Sequence, residues 1–500
     1  MSDYFPGSVI NIMSVLGILG AFLCFLGLAL LIPIIPALIY SEAAWQAFLI
    51  PATGSSGIGA ILYYLYKPSR ELRLREAFIV VGLTWVLLSA VGALPFMLSG
   101  VLENYTDAFF ETMSGFTTTG ATIFGGTTSS GNINPDIESL PKSLIFWRSV
   151  LHWLGGMGFI VLSIAILPLL GTGGMQLFQA ESSLLSSDKL TPRVQQTAKF
   201  LWYVYLGFTV LHFLLLWVHP KMDWFEAINH AFSTLATGGF STKDASIAAF
   251  DSVYIDSVII LFMFLAGINF VLHFRMLRGE ILNVTENREL RFYTLVTLIA
   301  IALITFSLWM NHYDTFGEAL RYGAFQALSI LTTTGYGTDD YTLWPAFALF
   351  LIFLLFFTGG CTGSTSGGIK MTRWIILIRS SFREIKQAIH PKGVYPIRMG
   401  SKVIDPAVSR TVFSFFVLYL MIFITGVLIL SALNIDFISA IGASIACLGN
   451  IGPAIGEFGP VNNYAHMPWT GKWVLSLLML IGRLEVFTVI VLFSATFWKQ

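Results

Sequence analysis

Charge is scarce in this chain. Only 11% of its 500 residues are Asp, Glu, Lys or Arg, against about 25% in an ordinary soluble domain, so lipid is expected to be the main solvent. The 28 basic and 28 acidic residues cancel, and the lack of a basic surplus argues against nucleic acid as a partner. Cysteine is nearly missing. Cys24, Cys361 and Cys447 lie in or beside apolar segments with no CxxC pair, which suggests neither a disulfide framework nor a zinc site. The eight histidines form no metal-ligand cluster. His152, His212 and His273 fall in or at the ends of apolar segments and are expected to be hydrogen-bonded structural groups. A basic leader is also lacking. The apolar run from Val9 to Ile39 is too long for a signal peptide and has no clear small-residue cleavage site. A retained membrane helix is expected there, bent near Pro33 and Pro36.

What is abundant is apolar: 55% hydrophobic residues and a mean hydropathy of +0.76. Crossing the hydrocarbon core takes roughly 20 such residues per helix. Candidate spans are 9–39, 45–66, 77–99, 144–170, 198–218, 253–274, 290–311, 346–369, 409–433 and 472–498. The fold class expected is an all-α polytopic membrane protein. Basic residues orient it. One set of alternate loops carries 21 of them, Arg70, Arg73, Lys189, Arg193, Arg275, Arg379 and Lys499 included; the other side carries 6, namely Lys142, Arg148, Lys221, Lys243, Arg321 and Lys472. Both termini are therefore expected in the cytoplasm.

The outward loops 100–143, 219–252, 312–345 and 434–471 are long and semi-apolar. A water-exposed loop has no reason to read Ala108-Phe109-Phe110-Glu111-Thr112-Met113-Ser114-Gly115-Phe116. Each looks like a short helix that dips into the membrane and returns through a Thr/Gly stretch. Aligned on one glycine, the stretches are Thr118-Thr119-Gly120, Ala236-Thr237-Gly238, Thr333-Thr334-Gly335 and Asn450-Ile451-Gly452. Each glycine lies 12 residues after the start of its short helix, and successive glycines are 118, 97 and 117 residues apart. The expected architecture is four repeated helix–pore loop–helix units around a central pore (67–170, 171–275, 276–390 and 391–500), after an N-terminal two-helix hairpin at 1–66.

Irregular backbone at membrane depth survives only where protein buries it or a watery cavity lines it. Four such segments around one axis would make that cavity themselves. Carbonyl oxygens that replace an ion's hydration shell are how a potassium filter works, and Thr333-Thr334-Gly335-Tyr336-Gly337 differs from TVGYG by one Val→Thr change. Glycine is needed there because it adopts positive φ and because a Cβ would narrow the conduit. Each short helix would also aim its C-terminal end, with about half a negative charge, at the axis. Asp244, Asp339, Asp340 and Glu457 follow the filters and would concentrate cations at the external mouth.

The span 346–369 starts as an apolar helix and then breaks into Thr358-Gly359-Gly360-Cys361-Thr362-Gly363-Ser364-Thr365-Ser366-Gly367-Gly368-Ile369-Lys370. Five glycines and several hydroxyls cannot hold a lipid-facing helix, so a polar flap below the filter is expected. Two enzyme readings fail. A nucleophile elbow needs Ser at the centre of Gly363–Gly367, where Thr365 stands; a Walker A loop needs Gly and Lys adjacent, but Ile369 separates Gly368 from Lys370. Arg483 lies inside the last span, where an unpartnered arginine costs ~3 kcal/mol. It is expected to face the pore below the filter as an electrostatic barrier, the alternative being a structural salt bridge at a subunit interface.

These motifs, with Ala236-Thr237-Gly238-Gly239-Phe240, Asn450-Ile451-Gly452-Pro453 and Gly482-Arg483-Leu484-Glu485, resemble those of the Trk/Ktr/HKT cation transporters over nearly the whole chain. The N-terminal hairpin sets it apart from the shorter Ktr type. The resemblance implies potassium uptake across a bacterial inner membrane. It also implies a homodimer with one pore per protomer and gating by a TrkA-like cytosolic nucleotide-binding subunit docked on the basic loops. Potassium would be substrate, held at the twelve aligned residues above, with no cofactor and no enzymatic role. Gly359, Gly360, Thr362, Gly363, Ser364, Lys370 and Arg483 would form the gate. Within that family, serine in place of the first glycine weakens potassium selectivity; Gly120 is present here. Asn450 and Pro453 depart most from TVGYG, so an asymmetric pore is expected. The alternative is a proton- or sodium-coupled symporter, whose repeats would be inverted, whereas these run parallel.

Overall fold

The computed structural model describes residues 10–67, 74–165, 194–399 and 402–498. The far end of the 144–170 stretch and the loops bearing Arg70, Arg73, Lys189, Arg193 and Lys499 lie outside them. Among the described residues the regular structure is helical apart from one short antiparallel pair, Arg398–Met399 with Lys402–Val403, and two isolated bridges. Six helices among the described residues are long and apolar enough to cross a membrane, or up to eight if each of two bent pairs is one span. The protein is a multi-pass, all-α membrane protein.

The N-terminal span runs Ile12–Ile39 and pauses at Pro33, where a new helical segment, Ile34–Ile39, begins. A proline ring cannot donate to the preceding turn, so the ladder breaks where the sequence suggests. Trp45–Leu65 packs back on it through small residues. A Cβ on Gly20 would sit 2.7 Å from the Gly59 carbonyl, and one on Gly59 would sit 2.5 Å from the Gly20 carbonyl. Helices meet this closely in lipid only where side chains are small.

Two expected spans are sharply bent. Val253–Ala266 and Phe270–Leu277 meet at 99°, and Trp469–Arg483 and Phe487–Phe493 at 115°. At the first bend the first piece ends with Gly267 as its C-cap, and Asn269 caps the second piece, its Oδ1 accepting from the Val271 amide at 2.8 Å. At the second, Glu485 and Val486 take φ of 60° and 53°, a conformation that no helix continues through. The stretch 346–369 also breaks as expected: Ala346–Leu355 is helical, a loop follows, and Met371–Ile389 resumes.

Four short helices, Tyr105–Phe116, Trp224–Leu235, Phe316–Leu331 and Phe437–Gly449, are largely buried, most completely toward their C-terminal ends. Each begins at a residue suited to capping. Asn104, Asp223, Thr315 and Asp436 accept from the first-turn amides at 2.9, 2.6, 3.2 and 2.9 Å. Asp223 and Glu226 complete a reciprocal capping box, which satisfies two otherwise orphaned donors. Exposure is confined to their N-terminal ends, as at Trp224, Phe316 and Phe437, and their C-terminal halves are buried. Some of their hydroxyls bond to their own backbone, as Thr112 does to the Ala108 carbonyl and Thr234 to the His230 carbonyl, both at 2.7 Å.

Candidate functional site

Each short helix ends in the same backbone manoeuvre. The amides of Thr119, Gly238, Thr334 and Ile451 reach back five residues to the carbonyls of Ser114, Ser233, Ser329 and Ala446, at 2.8, 2.9, 2.8 and 2.9 Å. The residue before each amide is left-handed: Thr118, Thr237, Thr333 and Asn450 have φ of 51°, 52°, 59° and 57°. The residue after is a glycine at positive φ, Gly120, Gly239, Gly335 and Gly452, at 80°, 86°, 82° and 90°. Non-glycine residues occupy this region rarely and at a cost of about 1–3 kcal/mol. Four repetitions mark one motif used four times.

This register corrects the sequence alignment in the second loop. The alignment matched Gly238 to Gly120, Gly335 and Gly452; the backbone matches Gly239. Gly238 takes the place of Thr119, Thr334 and Ile451, and Ala236 falls back to the helix C-cap. Two consecutive glycines made the wrong choice available, and only the dihedral pattern separates them.

The four loops close into a ring. A Cβ on Gly120 would lie 2.2 Å from the Gly238 carbonyl oxygen, and one on Gly239 would lie 2.1 Å from that of Thr334. One on Gly335 would lie 1.9 Å from the Ile451 oxygen, and one on Gly452 would lie 2.5 Å from that of Thr119. The order runs first, second, third, fourth and back to first. Each glycine thus lets the carbonyl of the neighbouring loop approach. Four helix C-termini, each with about half a negative charge, lead directly into the ring.

Side chains behind the ring hold it. Asn450 Nδ2 donates to Thr119 Oγ1 at 3.1 Å and to the Met479 carbonyl at 2.8 Å, tying the fourth loop to the first. Tyr464 donates to the Gly452 carbonyl at 2.7 Å, and Ser329 to that of Tyr336 at 2.7 Å. Arg148 and Lys472, outward loop charges by sequence, are both buried. Arg148 pairs with Glu111 at 2.8 Å and lies 4.1 Å from the Phe240 ring centre; Lys472 pairs with Asp107 at 2.5 Å. The available signal was a pair of acids, Asp107 and Glu111, in an otherwise uncharged apolar helix, and a lone arginine in Ile145-Phe146-Trp147-Arg148.

Outside the ring lies a cavity of about 60 Å³ lined from all four loops, including Gly120, Gly239, Gly335, Pro453 and Asp244. Lys243, also on its wall, stands 3.3 Å from Glu226 and 3.5 Å from Glu138. Partial burial works against its charge, but the two carboxylates outweigh burial and raise its pKa. Of the four acids expected at the mouth, Asp244 lines this cavity. Asp339 is engaged by Tyr313 and by Trp344 Nε1, Asp340 caps Thr342, and Glu457 faces His466 at 3.4 Å.

The Thr358–Lys370 loop packs against the ring's inner side. Gly367 N donates to Thr333 Oγ1 at 2.7 Å. Thr365 Oγ1 donates to the Leu235 carbonyl at 3.0 Å and to that of Ala266 at 3.3 Å. A Cβ on Gly367 would lie 2.4 Å from the Gly449 carbonyl. The loop therefore touches the C-terminal ends of the second and fourth short helices and the third loop. Its neck is closed by Gly359 N on the Ile369 carbonyl at 3.0 Å, and Lys370 Nζ donates to the Ser366 carbonyl. Gly360 backs onto the Gly267 carbonyl, Gly363 O accepts from the Phe270 amide at 3.1 Å, and the Ser364 amide bonds to the Cys361 carbonyl at 3.1 Å. The Thr362 and Thr372 amides share Glu289 Oε1, at 2.7 and 3.1 Å.

Arg483 is 2% exposed and donates to the Thr365 carbonyl at 2.8 Å and the Gly155 carbonyl at 3.1 Å. It joins the last long helix to the loop. Glu485 pairs with Arg373 at 2.5 Å. The histidines divide: His152 bonds to Ser233 at 2.9 Å and His273 to the Leu265 carbonyl at 2.9 Å. His212 instead stacks on Phe262 at 4.3 Å, and neither ring nitrogen has a hydrogen-bond partner among the described residues. No group of three or more His, Cys, Asp or Glu able to hold a metal occurs among the described residues.

Known proteins are similar to this chain in sequence and fold. The family model TrkH, described as a cation transport protein, matches residues 45–500. The Trk system potassium uptake protein TrkH of Salmonella typhimurium is 42% identical over 94% of this chain and 96% of its own. That of Halomonas elongata is 39% identical over 97% and 99%. The crystal structure of the potassium transporter TrkH from Vibrio parahaemolyticus superposes with a TM-score of 0.88 at 35% identity, covering 98% of this chain and all of the other. The chain belongs to the TrkH family of cation transport proteins.

Proposed function

We propose that the chain takes up potassium across a bacterial inner membrane through the ring of four loops, gated by the 358–370 loop. One observation carries this reading: each ring glycine lies against the carbonyl of the next loop, and the sequence closes on itself after four steps. A closed ring of backbone carbonyls with four helix C-termini behind it suits a dehydrated monovalent cation. The names of its relatives, potassium uptake proteins, point to the same ion.

In this reading Thr118–Gly120, Thr237–Gly239, Thr333–Gly335 and Asn450–Gly452 form the filter, each within one of four repeated units after the N-terminal hairpin. The Asp244-lined cavity is the outer vestibule. Gly359, Gly360, Thr362, Gly363, Ser364 and Lys370 close the path below it, and Arg483 pins them through the Thr365 carbonyl. Both termini face the cytoplasm, where basic loops receive a TrkA-like nucleotide-binding subunit, and two copies of the chain form a homodimer.

Flux into liposomes tests it. The reconstituted protein should carry potassium in strong preference to sodium, and Gly120→Ser should narrow that preference. Equal fluxes of the two ions in the unmutated protein would refute the filter.

A further inference from the structure

We propose that Glu289 is a positioning residue for gating, holding the neck of the 358–370 loop shut by accepting the amides on both of its sides. The inference rests on the reading of that loop as a gate.

Glu289 lies in the first turn of the span Arg288–Asn311, and its side chain is fully enclosed. Its Oε1 takes the Thr362 amide at 2.7 Å and the Thr372 amide at 3.1 Å. Thr362 belongs to the loop; Thr372 belongs to the first turn of Met371–Ile389. The two threonine hydroxyls meet at 3.1 Å. One carboxylate oxygen thus ties the loop, the helix that follows it and a third span at a single point. Thr372 offers one of the amides that a helix N-terminus leaves without an internal partner, and a carboxylate suits that end. Oε2 has no hydrogen-bond partner among the described residues, and both amides are held by Oε1. For the loop to swing out from under the ring, one or both of these bonds must break.

Glutamine keeps the accepting oxygen, and its NH2 would stand where Oε2 has no bond to lose. Aspartate is one methylene too short to reach both amides, and alanine reaches neither. Potassium uptake in liposomes without a cytosolic partner separates these variants. A maleimide reporter on Cys361, which is buried in the loop, is read in a Cys24→Ser, Cys447→Ala background. Hydrogen bonds to a charged group are strong enough that Glu289→Ala should raise basal uptake about tenfold. Half-saturation and potassium-over-sodium preference should not change, and Cys361 labelling should accelerate. Glu289→Asp should follow it, and Glu289→Gln should stay near the unmutated protein. If alanine does not fold, aspartate carries the same expectation.

Two results would overturn the inference alone: Asp and Ala variants of normal thermal stability with unchanged uptake while Arg483→Ala opens the path, or Glu289→Gln opening as far as Glu289→Ala. If Arg483→Ala also leaves uptake unchanged, the gate reading fails and the inference falls with it.

Discussion

Alanine at Gly239 and alanine at Gly238 should do different things to this protein, although the residues are neighbours. At Gly239 a Cβ would stand 2.1 Å from the Thr334 carbonyl oxygen. Carbon and carbonyl oxygen rest no closer than about 3.3 Å, so the oxygen would have to retreat by roughly 1 Å. The residue also sits at φ 86°, where an L side chain adds about 1–3 kcal/mol of strain. Both penalties fall on the ring. At Gly238 the Cβ would instead meet the His152 ring, 2.2 Å from Nδ1, on the side away from the neighbouring loop's carbonyl. That ring is stacked on Phe240 at 4.1 Å, so the penalty falls on packing behind the loop. A loss of about 1.4 kcal/mol in the potassium-over-sodium difference is tenfold in selectivity, and Gly239→Ala should lose at least that much. Gly238→Ala should lower thermal stability and keep most of its selectivity. The assay is paired potassium and sodium uptake in liposomes, corrected for the amount of folded protein. If Gly238→Ala abolishes selectivity and Gly239→Ala preserves it, the register derived from the backbone is wrong.

Arg483→Ala removes two charged donors from the Thr365 and Gly155 carbonyls. At about 1.5–3 kcal/mol per such bond, basal potassium flux should rise on the order of tenfold or more; unchanged or lower flux in folded protein would count against its pinning role. Asn450→Ala breaks the tie between the fourth and first loops and puts alanine at φ 57°. It should lower the unfolding temperature and narrow ion preference together, the bonds contributing about 0.5–1.5 kcal/mol each. Asn450→Gly should recover the part due to strain and leave the preference narrowed; full recovery by glycine would mean that the side-chain bonds do nothing for the ring.

Much of this architecture is legible in the sequence because lipid constrains the chain so tightly. Apolar stretches of membrane length, the break at Pro33 and the glycine-rich interruption after Phe357 all announce themselves by composition. The repeated Thr/Gly stretches stand out because nothing about a solvated loop requires them. What escaped is set by geometry that composition does not encode. Gly238-Gly239 offers two alignments, and only the left-handed Thr237 chooses between them. The bend after Ala266 depends on Asn269 capping a new helix, and the one after Arg483 on positive φ at Glu485 and Val486, residues with no special propensity for it. Glu289 lies seventy residues or more from the amides it holds, so no local pattern could have found it. The buried pairs Glu111–Arg148 and Asp107–Lys472 were hidden by proximity to real loops, where charges are ordinarily solvated.

The most direct test of the central claim is growth at low potassium of a bacterium lacking its own potassium uptake systems. It compares the unmutated chain with Gly335→Asp, each co-expressed with a cytosolic TrkA-type subunit. At Gly335 a Cβ would lie 1.9 Å from the Ile451 carbonyl, so an aspartate can neither leave the ring closed nor leave it neutral. The account predicts that the unmutated chain restores growth and that the mutant, present in the membrane at equal amount, does not. Equal growth on both would contradict potassium conduction through the ring.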